Sequence, residues 1–116
     1  MKTLEQITPQ AAGALAFSPD GVLFVGDNKL GAVFAFETER GQAPVSLDPF
    51  LFESIDEKIA GVLGVAVKSL VINGMAVHPV TREPYLSAGV RNGDRLEPAV
   101  VSVSLAGEVR PFDLSS

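Results

Sequence analysis

The sequence contains no cysteine and only one histidine, His78, among its 116 residues. Without cysteine the chain has no disulfide bond, no thiolate metal site, no iron–sulfur cluster and no cysteine nucleophile. A histidine metal site needs at least two more ligands, and general base catalysis needs a partner beside the imidazole. The favoured interpretation of His78 is therefore a residue at a strand end, held by backbone groups.

Charged residues are also few, at 20% of the chain. Nine are basic and fourteen are acidic, which gives a net charge of -5. Proteins bind a phosphate backbone by neutralising its charge with Lys and Arg side chains, so nucleic acid is not an expected partner of this acidic chain. Hydrophobic residues make up 47% of the chain. This is more apolar surface than a small domain hides, which indicates a large interface or further neighbouring sequence.

Long hydrophobic runs are absent as well. The longest, residues 59–67, is about half of the ~20 residues that cross a bilayer. Residues 1–5 lack the charged and apolar regions of a signal peptide. We therefore expect a soluble chain without a membrane partner or an export signal, in a compartment that the sequence does not specify.

The chain has two apolar runs in residues 13–27, which are joined by Pro19-Asp20-Gly21. Short apolar runs bounded by turn residues predict buried strands, and Asp-Gly suits a tight hairpin. A third strand is expected at residues 32–36 and a fourth at 43–47, at the sheet edge because of Pro44. Four antiparallel strands of this length are typical of one propeller blade.

A degenerate copy of this pattern follows. Residues 70–72 and 75–77 flank Asn73-Gly74, and Pro79 corresponds to Pro19. In this alignment residues 75–77 match 15–17, and residues 99–103 match 32–36 after a longer loop at 89–98. A last strand is expected at residues 108–114.

Residues 52–64 break the strand pattern. Ser54 and Glu57 have the spacing of a capping box, apolar residues recur at helical spacing, and Gly64 suits a helix C-terminus. Residues 61–69 either extend this helix or begin a strand. The predicted fold is all-β with one short helix: two four-stranded antiparallel propeller-like blades and an incomplete ring. The parts are an arm (1–11), blade 1 (12–50), a helical connector (51–69) and blade 2 (70–116).

The pattern at residues 13–27 resembles β-propeller proteins of the group that includes NHL-repeat proteins and gluconolactonase-like hydrolases. Together with residues 33–36, the helix near Ile59 and residues 71–77, the chain is similar to the N-terminal part of uncharacterised bacterial secreted propeller proteins. The resemblance implies a propeller fold and a secreted or periplasmic ancestry. It carries no established activity.

A propeller closes with about four to eight blades, because neighbouring blades cover each other's faces. Two blades leave two faces open. The favoured expectation is a homo-oligomeric ring of three or four chains. The alternatives are a fragment of a longer propeller protein and a small sandwich of the two sheets.

Candidate metal ligands lie where strands end. Asp27, Asn28 and Asn73 are oxygen-bearing residues, and repeated by symmetry they suit a hard cation such as calcium. Asn and Asp are also ordinary turn residues, and the turn interpretation is favoured, with no cofactor. The acidic ligand set of gluconolactonase-like enzymes is not recognisable in the sequence.

The most polar stretch contains Arg91, Asn92, Asp94 and Arg95. Two arginines around Asn-Gly suit a carboxylate or phosphate ligand, or a partner protein, because guanidinium groups offer a planar fork of donors. A solvated hairpin with an Asn-Gly turn is the favoured interpretation.

No phosphate loop, Gly-x-Ser-x-Gly or His-Glu-x-x-His motif is present. We therefore expect a binding or assembly module of unknown ligand rather than an enzyme. The rival functions are a gluconolactonase-like metal-dependent hydrolase and an inactive fragment of a longer propeller protein.

Overall fold

A computed structural model describes residues 8–39, 41–45 and 51–115 of the chain. Seven strands form two antiparallel sheets in this part, with one α-helix between them in sequence. The all-β prediction with one short helix is confirmed. The elements are β1 Leu15–Phe17, β2 Val22–Asp27, β3 Ala32–Glu37, α1 Ile55–Leu63, β4 Leu70–Val77, β5 Pro84–Asn92, β6 Arg95–Val103 and β7 Val109–Phe112.

The first sheet has the strand order β1-β2-β3. Its expected fourth strand at 43–47 does not appear in the described residues 43–45, and Ser46 and Leu47 lie outside the described residues. Pro44 removes a backbone donor, and the Val45 side chain is fully exposed. The prediction of four strands in blade 1 is therefore corrected to three within the described chain.

The second sheet has the order β4-β5-β6-β7, with four strands as predicted. Two details differ from the prediction. β4 runs unbroken through Asn73, where a bulge shifts its register against β5 between Ile72 and Gly74. The expected loop at 89–98 belongs mostly to β5 and β6, because the polar residues there extend a two-stranded ribbon into solvent.

The turn that joins β1 to β2 recurs between β6 and β7. The Oγ atom of Ser18 accepts the N–H of Val22 at 3.0 Å, and the Oγ atom of Ser104 accepts that of Glu108 at the same distance. The glycine before the second strand has a positive φ in both turns, 90° and 91°. This serine and glycine pair fixes both hairpins, since glycine accepts that backbone conformation without strain.

Helix α1 ends as predicted but begins differently. Gly64 has a φ of 73°, and the N–H of Val65 reaches the carbonyl of Ala60 at 2.9 Å. The predicted capping box is wrong, because Ser54 has a left-handed φ of 54° and its side chain makes no capping hydrogen bond. After the helix, a single 3-10 turn at Val67–Ser69 leads into β4.

The two sheets pack face to face over one core, and α1 covers the far side of the second sheet over another. Strand β5 contributes to both cores because its side chains alternate: Tyr85 faces the first sheet and Leu86 faces α1. The buried residues between the sheets are Ala12, Leu23, Val25, Phe36, Tyr85 and Val100. Those around the helix are Ile59, Leu86, Val101, Val103 and Val109.

Residues 8–12 lie against the ends of both sheets and form no strand. The Nδ2 group of Asn73 donates to the carbonyl oxygen of Ala12 at 2.8 Å, and the Oγ–H of Ser87 donates to that of Gly13. The chain just after the predicted arm is therefore tied to the second sheet, whereas Gln10 and Ala11 of the arm donate to Asp27 at the end of β2 in the first sheet. Residues 1–7 of that arm lie outside the described residues.

Candidate functional site

Asp27 ends β2 and is 1% exposed. One carboxylate oxygen accepts the N–H groups of Lys29 and Leu30, each at 2.9 Å, and the other accepts those of Gln10 at 2.8 Å and Ala11 at 3.3 Å. Burial opposes ionisation, but the four donors outweigh it and lower the pKa of Asp27 below its usual value. This carboxylate caps a turn and tethers the chain before β1.

The other two candidate metal residues line a cleft to which Asp27 does not contribute. Asn28 and Asn73 line a cleft of about 270 Å³ between the sheet ends, together with Glu97. Asn73 already uses its amide nitrogen on a backbone carbonyl. Among the described residues, no group of three or more His, Asp or Glu side chains is placed to hold a metal ion.

The candidate ligand residues Arg91, Asn92, Asp94 and Arg95 form the exposed tip of the β5–β6 ribbon. Asn92 pairs with Arg95 across the strands, and its amide donates to Glu97 at 3.1 Å. Gly93 supplies the positive φ of 65° that the turn requires. The structure brings these four residues together on one hairpin, outside both clefts between the sheets.

His78 follows β4 and is 1% exposed. Its Nδ1 atom faces the N–H groups of Val80 and Thr81 at 3.1 and 3.2 Å, so it acts as the acceptor. The proton therefore resides on Nε2, which donates to the Oγ1 atom of Thr38 at 2.9 Å. The hydroxyl of Thr38 in turn donates a hydrogen bond to the carbonyl oxygen of Gly21 at 2.6 Å.

The imidazole is neutral in this network. Burial lowers the pKa of His78, and the nearby Glu83 carboxylate opposes that shift. Phe17 and Tyr85 pack on the ring, with centroids 5.0 and 6.3 Å away. Both ring nitrogens of His78 make hydrogen bonds within the protein, so the residue joins the two sheets. Backbone groups bind Nδ1, whereas Nε2 binds the Thr38 side chain, which the sequence did not predict.

A larger cleft of about 540 Å³ lies between the end of β3 and the second sheet. Its floor carries Tyr85, Ser102 and Arg110, and Glu39 and Glu83 lie at its walls. This cleft was not predicted from the sequence, because its residues come together only when β5, β6 and β7 pair. The one sequence feature related to the cleft is that polar residues occupy alternate positions along these strands, which places them on one side of the sheet.

In the described part of the chain, no helix has the length and apolar character needed to cross a membrane. Compared with known protein families, with curated proteins and with solved structures, the chain matches none of them.

Proposed function

We propose that the chain is a binding or assembly module that completes a propeller-type ring with further copies of itself. The supporting observation is a pair of exposed apolar surfaces that point in opposite directions. Such a pair favours a head-to-tail contact, in which one surface of each copy covers the other surface of the next. Repeated around an axis, this contact closes a ring.

The first surface, which we name the outer face, is the side of the first sheet turned away from the second. Ala16, Phe24 and Ala35 are neighbours across its three strands, and Val33 beside them is 71% exposed. Gly26 opposite Val33 leaves a shallow depression of about 310 Å³. An exposed apolar surface with a shallow depression suits close packing against another sheet.

The second surface, which we name the strip, is the uncovered part of β4. Met75 pairs with Leu86, which lies under α1, so the strip faces away from the first sheet. Met75 is 61% exposed, and Ile72 and Val77 are exposed beside it. Helix α1 covers the rest of this side, which limits a contact with the next copy to the strip. An unbranched methionine side chain fills irregular concavities well.

The solution mass of the purified chain, measured by light scattering after size exclusion, tests the ring. We expect one species of three or four chains. Val33→Glu and Met75→Glu are each expected to give monomers, because each places a charge in the contact. The matched control is Val45→Glu, which adds the same charge at a fully exposed position outside both surfaces.

Mixing the two variants distinguishes a head-to-tail contact from a symmetric one. Val33→Glu keeps its strip and Met75→Glu keeps its outer face, so together they are expected to form a one-to-one dimer that grows no further. Self-association of Met75→Glu alone would indicate that two outer faces pair symmetrically and would overturn the ring. A monomeric unmodified chain would overturn it as well.

A further inference from the structure

The larger cleft between the sheets has a floor built from three neighbouring strands. Tyr85 pairs with Ser102 across β5 and β6, and Ser102 pairs with Arg110 across β6 and β7. Paired residues project on the same side of a sheet, so two hydroxyls and one guanidinium form a row facing the first sheet. Phe112 lies beside this row and packs edge-on against Tyr85, with centroids 5.9 Å apart.

The Tyr85 hydroxyl has no hydrogen-bond partner among the described residues. The residue is only 7% exposed, and its ring is held by Phe17 and Phe112. No buried side-chain polar atom of the described residues lacks a hydrogen-bond partner, so the hydroxyl oxygen itself is open to the cleft although the ring is buried. Since Tyr85 lines the cleft, its hydroxyl is directed to the space that a ligand would fill.

The charge around this hydroxyl is negative. Burial raises the pKa of Tyr85, and the Glu83 and Glu39 carboxylates raise it further, against an opposing effect of Arg110. The only salt bridge in the described residues joins Arg110 to Glu108 at 3.3 Å, so neither Glu39 nor Glu83 is neutralised by a described basic side chain. The cleft thus combines an unpaired hydroxyl with uncompensated carboxylates.

We propose that this cleft binds a small organic cation: an ammonium or guanidinium group on a short alkyl stem. The cation donates hydrogen bonds to the Tyr85 hydroxyl oxygen and to the carboxylates of Glu83 and Glu39. Its stem packs against the aromatic rings of Tyr85 and Phe112, where a cation is further favoured by the ring faces. An anion is disfavoured, because acidic groups outnumber the single arginine in the cleft.

The two surfaces proposed for assembly lie elsewhere. Tyr85, Ser102 and Arg110 face the first sheet, whereas the outer face and the strip point away from the shared core. Cation binding is therefore expected to be the same in the Val33→Glu variant as in the unmodified chain. If the chain forms no ring, the proposal of cation binding is unaffected. If the cleft binds no cation, the proposal of ring assembly is unaffected.

Calorimetric titration of the whole chain with putrescine, a diamine, and agmatine, a guanidinium amine, tests the proposal. We expect binding of at least one of them. Tyr85→Phe removes the hydroxyl and keeps the ring, so affinity is expected to fall about tenfold while the free energy of unfolding is unchanged. A purely structural role of the hydroxyl would instead lower the stability.

Glu83→Gln is expected to weaken binding by a similar factor, and Glu97→Gln is its matched control. Glu97 carries the same charge but lines the smaller cleft at the other end of the sheets. The proposal is overturned if neither cation binds at millimolar concentration. It is also overturned if Tyr85→Phe binds as tightly as the unmodified chain, or if both glutamate variants lose affinity equally.

Discussion

The Nε2 atom of His78 lies 2.9 Å from the Oγ1 atom of Thr38, and this hydrogen bond joins the turn after β4 to the end of β3. The two residues directly follow strands of different sheets. Because Nδ1 accepts two backbone N–H groups, the imidazole has room for a proton on Nε2 alone. A second proton, on Nδ1, would point at these two N–H groups at short range. The stability of the fold is therefore expected to depend on pH.

Acidification is expected to destabilise the fold through His78. Its pKa is lowered in the folded chain, mainly by burial, whereas the unfolded value is about 6.5. Stability from the neutral imidazole is therefore complete above about pH 6.5. Below it, the unfolded chain binds the proton first, and stability falls by up to about 1.4 kcal/mol per pH unit until the folded pKa is reached.

Urea unfolding at a series of pH values measures this slope, and His78→Asn is the control. The asparagine carbonyl occupies nearly the position of Nδ1 and still accepts the N–H groups of Val80 and Thr81. The variant has no titrating group at position 78, so the decline in stability that begins below about pH 6.5 is expected to be absent from it. An equal slope in both chains would contradict the assignment to His78.

Removal of the Thr38 hydroxyl is expected to cost about 1–3 kcal/mol. Thr38→Val keeps the shape of the side chain but leaves the Nε2–H of His78 and the carbonyl of Gly21 without their partner. Thr38→Ser keeps the hydroxyl and is expected to lose much less. Chemical denaturation of the three chains at neutral pH gives both differences.

Gly21 is expected to tolerate alanine poorly for two separable reasons. Its φ of 90° strains any other residue, and an added Cβ would lie 3.1 Å from the Nε2 atom of His78. Gly93→Ala is the matched control, because Gly93 has a φ of 65° and no atom within 4 Å of an added Cβ. Strain alone costs about 1–2 kcal/mol, so Gly21→Ala should destabilise the chain more than this control. Thermal unfolding measures the stability of both variants. Equal losses of stability would show that the close approach to His78 contributes nothing to the cost of Gly21→Ala.

The local turns of the fold were predictable from the sequence because their chemistry is local. Gly21 and Gly64 both adopt the positive φ that their positions predicted, 90° and 73°. The start of α1 was not predictable from the Ser54 and Glu57 spacing alone. The chain enters the helix through a left-handed Ser54, which turns the serine hydroxyl away from the first N–H groups.

The candidate site was less predictable, because its residues are brought together by strand pairing. The Nε2 atom of His78 bonds to Thr38, which is forty residues away in sequence. Tyr85, Ser102 and Arg110 lie in a row only because of the register of two hairpins. The polar tip that includes Arg91 was assigned to a loop for a related reason. A strand ribbon that leaves the core no longer shows the alternation of apolar and polar residues that identifies buried strands.

Asp27 is expected to contribute to stability and not to bind calcium. Asp27→Asn replaces one carboxylate oxygen by an NH₂ group that must face backbone donors, at a cost of roughly 2–3 kcal/mol. Asp113→Asn is the matched control, because Asp113 directly follows β7, is exposed and, among the described residues, accepts hydrogen bonds only from Ser115. Its substitution is expected to cost well under 1 kcal/mol.

The pH dependence of Asp27 separates it from His78. Its pKa is lowered in the folded chain, so its stabilisation is present above the unfolded value of about 3.9 and is lost as the pH falls through the folded value. Thermal unfolding with and without millimolar calcium completes the test. The midpoint is expected to be unchanged, since the four backbone N–H groups already occupy the carboxylate. A calcium-dependent rise that disappears in Asp27→Asn would instead assign Asp27 to a metal site, because a ligand that binds only the folded chain stabilises it.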